Sequence, residues 1–191
     1  MIELPNEILL YHGSYMEISD IDLSKCSDGL DFGKGFYLTT SFEQALNYVP
    51  AAVKKNKRRK RLPEDFDVKN GRVSVYRFHA DSELLIHIFQ TADVGWLHYV
   101  ASNRNDLLFA DFRKKLEPCD IIGGKIADDD TSATLNAYIS GGFGIPGTER
   151  VDSFTIGSLL PDRLKDQFCF RTEHSLKALE FIRSERYGDY R

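Results

Sequence analysis

The chain has little cysteine and uses it singly. Cys26, Cys119 and Cys169 are far apart, odd in number and never in Cys-x-x-Cys spacing, which argues against a disulfide framework or a zinc knuckle. No apolar run approaches membrane-spanning length, so no membrane partner is expected. The start, Met1 to Glu7, has acidic residues but no basic n-region and does not read as a secretory signal. There is no internal repeat and no long low-complexity segment. His79, His87, His98 and His174 show no metal-ligand spacing, so no metal site is expected. These absences lead us to expect a cytoplasmic protein of a reducing compartment.

What remains is ordinary globular material. The 191 residues are 42% hydrophobic and 28% charged, which suits a single domain over residues 1–191 able to bury a core without staples. The net charge of −4 hides an asymmetry. Lys54 to Arg61 reads KKNKRRKR, seven basic residues in eight. The 25 Lys and Arg less these seven leave 18 against 29 Asp and Glu, a balance of −11 for the rest.

Hydrophobic patterning predicts an α+β fold, because strands and helices mix without a βαβ alternation. Strands are expected at Glu7 to His12, Phe36 to Thr40, Arg72 to His79, Leu84 to Phe89, Cys119 to Ala127 (broken at Gly123-Gly124) and Gln167 to Arg171. Ser41 has capping-box spacing and starts a helix to about Val53, with Pro50 kinking or ending it early. Asp93 caps a helix to Asn103 that buries Val94, Leu97, Val100 and Ala101. Further helices are expected over Thr131 to Ser140, closed by Gly141, over Asp152 to Leu164, interrupted at Pro161, and after Thr172 to Leu179. The tail returns as a strand.

Three places join polar and aromatic groups beyond what packing requires. Leu10-Tyr11-His12-Gly13-Ser14 puts a histidine and a glycine at a strand end, where a ligand can approach the backbone closely; a plain turn accounts for it equally. Gly33-Lys34-Gly35-Phe36-Tyr37, with Tyr48 eleven residues on, lacks Walker spacing and precedes a strand, so it is not a phosphate loop. Its tyrosines either fill the core or flank a flat aromatic ligand. Gln167 opens a late strand and, alone, is unremarkable.

Taken in order, these motifs resemble the ADP-ribosyltransferase superfamily, in its diphtheria-toxin and poly-ADP-ribose-polymerase branch. The chain looks most like a group of short bacterial proteins of unassigned function that share YHGS, DFGKGFYLTT, an Asn-Arg pair and a strand followed by Ala-Asp-Asp. Here these are Tyr11 to Ser14, Asp31 to Thr40, Asn103-Arg104 and Ile121 to Asp129. The resemblance implies two small packed β-sheets forming an NAD cleft, flanked by helices. It also implies NAD as substrate, cleavage of the nicotinamide–ribose bond, and transfer of ADP-ribose to a protein or nucleic-acid acceptor, in a toxin or regulatory role.

On that likeness His12 anchors the adenosine ribose, the Gly13 backbone pairs with the nicotinamide amide, and Tyr37 and Tyr48 sandwich its ring. Ser14 and Arg104 complete the expected NAD-binding set, Arg104 by reaching the pyrophosphate. Gln167 stands at the third signature position, usually glutamate; with His12 and Tyr48 it completes the expected catalytic set. A glutamine can bond the nicotinamide ribose but offers neither a charge nor a base. Ala45 stands where the polymerases carry a serine, and Glu173 is a poor positional substitute for the missing carboxylate. These departures keep open a catalytically silent NAD- or nucleic-acid-binding module, and an NAD hydrolase. Asp128, Asp129 and Asp130 read as a helix N-terminus using carboxylates against its dipole, or as metal ligands. Lys54 to Arg61 is either a solvated loop or a docking patch for the acceptor.

Overall fold

The computed structural model describes residues 1–126, 129–159 and 165–191; of residues 129 and 130 only the backbone is described. The strands are β1 (Leu9–Ser14), β2 (Phe36–Leu38), β3 (Arg72–Phe78), β4 (Ile86–Ile88), β5 (Ile121–Lys125), β6 (Asp166–Phe170) and β7 (Leu179–Arg186). The helices are α1 (Phe42–Arg58), α2 (Val94–Arg104), α3 (Ala110–Lys115), α4 (Asp129–Ile139), α5 (Glu149–Leu159) and α6 (Glu173–Lys177). The described strands form two sheets, ordered β1–β3–β7 and β2–β6–β5–β4. All pairings are antiparallel except β4 with β5. The chain is therefore α+β, with two small sheets flanked by helices.

Alternation along the strands decides what each face does. Leu10 of β1, Tyr76 and Phe78 of β3, Ile121 of β5, and Phe168 and Phe170 of β6 point between the sheets and are buried together. Cys169, on the opposite face of β6, packs with Trp96, Leu97, Tyr99 and Val100 of α2 and Leu135 and Tyr138 of α4. The outer face of the first sheet receives Ala45, Leu46, Val49 and Val53 of α1 against Val73.

The sheets meet edge to edge at one point. Tyr11 and Thr39 exchange backbone hydrogen bonds of 2.9 and 3.0 Å. Beyond that bridge the two edges part, and a cleft opens between β1, β2, β6 and α1.

Several expectations are corrected. Helix α1 passes Pro50 and runs to Arg58, so much of the basic run is helical. The face carrying Val49, Ala52, Val53 and Asn56 is buried, and this packing outweighs the amide hydrogen bond that proline forfeits. Strand β1 starts at Leu9, two residues late. Strand β5 continues through Gly123 and Gly124: a Cβ on Gly123 would lie 2.6 Å from the Phe168 ring, and one on Gly124 would lie 3.0 Å from Phe32. The glycine pair makes room for aromatics and does not break the strand. In α2, Val94 is exposed while Trp96 and Tyr99 are buried, since both the sheet and α4 cover this helix. Asp93 caps it, its carboxylate accepting from the Trp96 amide at 2.9 Å. The end of the expected Asp152 to Leu164 helix lies outside the described residues beyond Leu159.

Candidate functional site

The cleft is a cavity of about 610 Å³, within the range of small-molecule sites. Its floor and walls come from distant parts of the chain. β1 gives Tyr11, His12 and Gly13; β2 gives Tyr37 and Leu38; α1 gives Gln44, Ala45, Asn47 and Tyr48; β6 gives Gln167; and Arg104 ends α2. Leu30, Asp31, Thr39, Ile126, Ser132 and Lys165 complete the lining.

His12 sits on the inward face of β1 and stacks on Phe36 with ring centroids 4.4 Å apart. Its Nδ1 lies 2.8 Å from the Tyr37 carbonyl oxygen. A carbonyl only accepts, so Nδ1 carries the proton in this contact. Burial lowers the pKa of the ring, although the Tyr37 carbonyl works in the opposite direction. The imidazole is thus neutral near pH 7 with Nε2 as an acceptor, which suits a hydroxyl donor such as a ribose OH.

Gly13 has two separate properties. A Cβ here would lie 2.0 Å from the Ala45 carbonyl oxygen, so only glycine lets α1 seat on β1. Its backbone edge is the second. Tyr11 turns its N–H and C=O away from β3 towards Thr39. By the two-residue period Gly13 turns its own the same way, past the point where Thr39 ends the pairing. No backbone hydrogen bond to Gly13 on that side occurs among the described residues. Among the described residues an unpaired donor and acceptor therefore face the cleft side by side, a pattern complementary to a primary amide.

Tyr37 lies in the cleft wall with its hydroxyl donating to Gly33 O at 2.6 Å and accepting from Phe32 N at 3.0 Å. Burial, with the neighbouring Cys169, raises its pKa well above the usual tyrosine value. The phenol is a pin for the preceding loop, and the ring face is what it can offer a ligand. Tyr48, on α1, is 48% exposed and lines the same cavity.

The loop pinned by Tyr37 is held again from α2. Arg104 donates to Asp31 Oδ1 through Nε at 2.9 Å and Nη2 at 2.6 Å, with Nη2 also 3.4 Å from Ser132 Oγ. Asn103 Nδ2 donates to the Asp31 carbonyl at 3.1 Å. Gly33 has φ +81°, and a Cβ there would lie 3.0 Å from Asn103 Oδ1, so the left-handed turn and the close neighbour both select glycine. Two separate sequence motifs, Asp31 to Tyr37 and Asn103-Arg104, are one clamp.

Gln167 is buried to 9% exposure on β6, on the same face of the second sheet as Tyr37. Its side-chain amide has no protein hydrogen-bond partner among the described residues. Nearby, Thr39 Oγ1 donates to Gln44 Oε1 at 3.0 Å, which orients the first turn of α1 along the wall.

The cleft thus brings together His12, Gly13, Tyr37, Tyr48, Arg104 and Gln167. Ser14 is placed elsewhere: it is buried at the end of β1, paired with Arg72 of β3, and does not line the cavity. Arg104 lines the cavity, but with its charge matched by Asp31. Glu173 is exposed at the start of α6 and does not reach the cleft. Asp129 opens α4, whereas Asp128 lies outside the described residues. Among the described residues there is no group of three His, Cys, Asp or Glu able to hold a metal. Residues not anticipated are Asp31, Thr39, Gln44, Asn47, Ser132 and Lys165. Asp31 opens the Asp31 to Thr40 motif, but its partner on α2 is 73 residues away.

Over residues 8–181 the chain matches a family described as a protein of unknown function, DUF3990, and it belongs to that family. No curated protein and no solved structure matches it. Among the described residues, no helix is long and apolar enough to cross a membrane.

Proposed function

We propose that the cleft binds NAD and that the protein is a mono-ADP-ribosyltransferase, cleaving the nicotinamide–ribose bond and passing ADP-ribose to a macromolecular acceptor. The observation that carries this reading is the backbone edge of Gly13, unpaired among the described residues and opening into a cavity that also holds two tyrosine rings and a glutamine amide with no partner among those residues. A carboxamide on a flat aromatic ring is complementary to that set: the amide pairs with Gly13 and the ring stacks on tyrosine. Each stacked ring contributes about 1 kcal/mol. An amide misfit would leave a polar group unpaired at a cost of about 1–3 kcal/mol.

The chemistry follows from positions. His12 Nε2 accepts from a hydroxyl of the adenosine ribose. Gln167 bonds the nicotinamide ribose and orients C1′ as the bond to nicotinamide breaks. The leaving group departs neutral, so what the site must stabilise is the positive charge that develops on the ribose. The carbonyl oxygen of the Gln167 amide offers a dipole towards that charge, weaker than a carboxylate.

A catalytically silent NAD-binding module on the same scaffold is the second reading. The amide of Gln167 and the bare methyl of Ala45 at the cleft wall favour it. Incubation of the protein with NAD labelled in the adenosine moiety, with and without cell lysate, tests the two. Label on macromolecules supports transfer, and free ADP-ribose with nicotinamide indicates hydrolysis. Intact NAD that still binds indicates the silent module.

A further inference from the structure

Helix α1 continues from the cleft wall into the most cationic segment of the chain. Counting 100° per residue, Gln44, Tyr48, Lys55 and Arg59 fall within a stripe about 60° wide along the helix. Gln44 and Tyr48 line the cleft. Lys55 is about 10 Å further along the axis and Arg59 about 16 Å. Arg59 Nη1 lies 3.4 Å from Ser27 Oγ, in the segment that leads into Leu30 and Asp31 of the cleft. The cationic ridge and the cleft rim are therefore continuous.

The charge there is kept against three costs. None of Lys54, Lys55, Lys57, Arg58, Arg59, Lys60 or Arg61 forms an ion pair among the described residues. Lys55 has its pKa lowered by burial and by the neighbouring Arg59 and Arg61. Lys60 takes φ +55°, with Lys60 N bonded to Lys57 O at 2.8 Å and Arg61 N to Asn56 O at 2.9 Å. That is the left-handed position after a helix where glycine is unstrained. The helix dipole accounts for cations in the last turn, but not for a lysine at the left-handed position or for residues beyond the helix.

We propose that this ridge docks the phosphodiester backbone of a nucleic acid and leads it to the cleft as acceptor; the acceptor role rests on the ADP-ribosyl transfer proposed above. A strand carries a phosphate on every nucleotide, which suits cations one helical turn apart, about 6 Å, along a narrow line. A membrane surface fits poorly, because Glu64, Asp65 and Asp67 follow three to six residues after Arg61 and are exposed. Away from the cleft-lining stripe of α1, Lys54 and Lys57 border a groove shared with Glu64 and Asp67, so the cleft side of the helix is the better anion track.

The test is fluorescence anisotropy of a 20-nucleotide single-stranded oligomer with the full-length chain, over 50–200 mM salt. Neutralising four phosphates predicts about a fifty-fold loss of affinity across that range. Lys55→Gln with Arg59→Gln should lower the logarithmic salt slope by about 1.4, and Lys54→Gln with Lys57→Gln by less. NAD titration of the same variants reports whether the cleft is intact, so loss of docking is separable from failure of the NAD site. Equal effects of both pairs, binding without salt dependence, or equal affinity for polyglutamate or for anionic vesicles would each overturn the proposal.

Discussion

Arg104 and Asp31 form a buried ion pair, with both guanidinium Nε and Nη2 on one carboxylate oxygen and side-chain exposures of 17% and 8%. The pair joins the end of α2 to the loop that sets Tyr37, so the cleft wall depends on a contact between two motifs remote in sequence. Removing one partner of a buried pair strands the other charge. Arg104→Ala should therefore cost about 3 kcal/mol, or roughly 6–12 °C in melting temperature. Asp31→Asn combined with Arg104→Gln should recover more than half of that. Thermal unfolding of the three variants checks this, and an unchanged single variant contradicts it.

Gly13→Ala tests the seat of α1. The new Cβ meets a backbone oxygen of Ala45, so the helix itself must move. Overpacking of this kind costs about 1–3 kcal/mol. Because the obstacle is backbone, Ala45→Gly in the same chain should not rescue stability, and rescue measured by urea unfolding would contradict the geometry.

His12 gives a pH dependence whose sign is fixed. Burial holds its folded-state pKa below the usual 6.5, so the unfolded chain takes up the proton first. Stability is fully present above about pH 6.5 and falls as the pH drops through and below that value. His87 is shifted the same way by burial, so the readout is the difference between wild type and His12→Gln in urea unfolding at pH 7.5 and 5.5. The loss on acidification should be smaller in the variant. An equal loss contradicts a buried, neutral His12.

How far the sequence announced this site depends on how local each relationship is. Caps and alternation are local, and so Ser41, Asp93 and Thr172 were legible as helix starts, as was most of β3. Gly13 was legible as a close approach, but its neighbour proved to be Ala45 of a helix as well as open cleft. Pro50 misled because burial of the opposite face of α1 is a tertiary effect invisible to a local rule. The Asp31 clamp was out of reach for the same reason. Cys169 carried no sequence signal beyond its solitude, and its burial pushes the thiol up to about 12, which makes it inert packing and not a nucleophile.

Gln167→Glu is a gain-of-function test. On the proposed reading it places a carboxylate beside the nicotinamide ribose, where the amide has no partner among the described residues. If the cleft holds NAD as proposed, nicotinamide release should rise by at least about tenfold, read by chromatography of the products. No rise, with NAD still bound and the fold intact, contradicts the placement of Gln167 at the reacting carbon.

Lys60→Gly separates stability from docking. Relief of the left-handed lysine should raise stability by about 1 kcal/mol, or roughly 2–4 °C in melting temperature, while weakening oligonucleotide affinity. A lower melting temperature contradicts the strain assigned to this turn.

The most direct measurement is a calorimetric titration of NAD into the wild-type chain and into Tyr48→Ala, an exposed position whose truncation spares the core. We predict one site per chain and roughly fivefold weaker binding in the variant, the worth of one stacked ring. No heat with the folded wild type, or identical affinity in the two proteins, would contradict the assignment of the cleft to NAD.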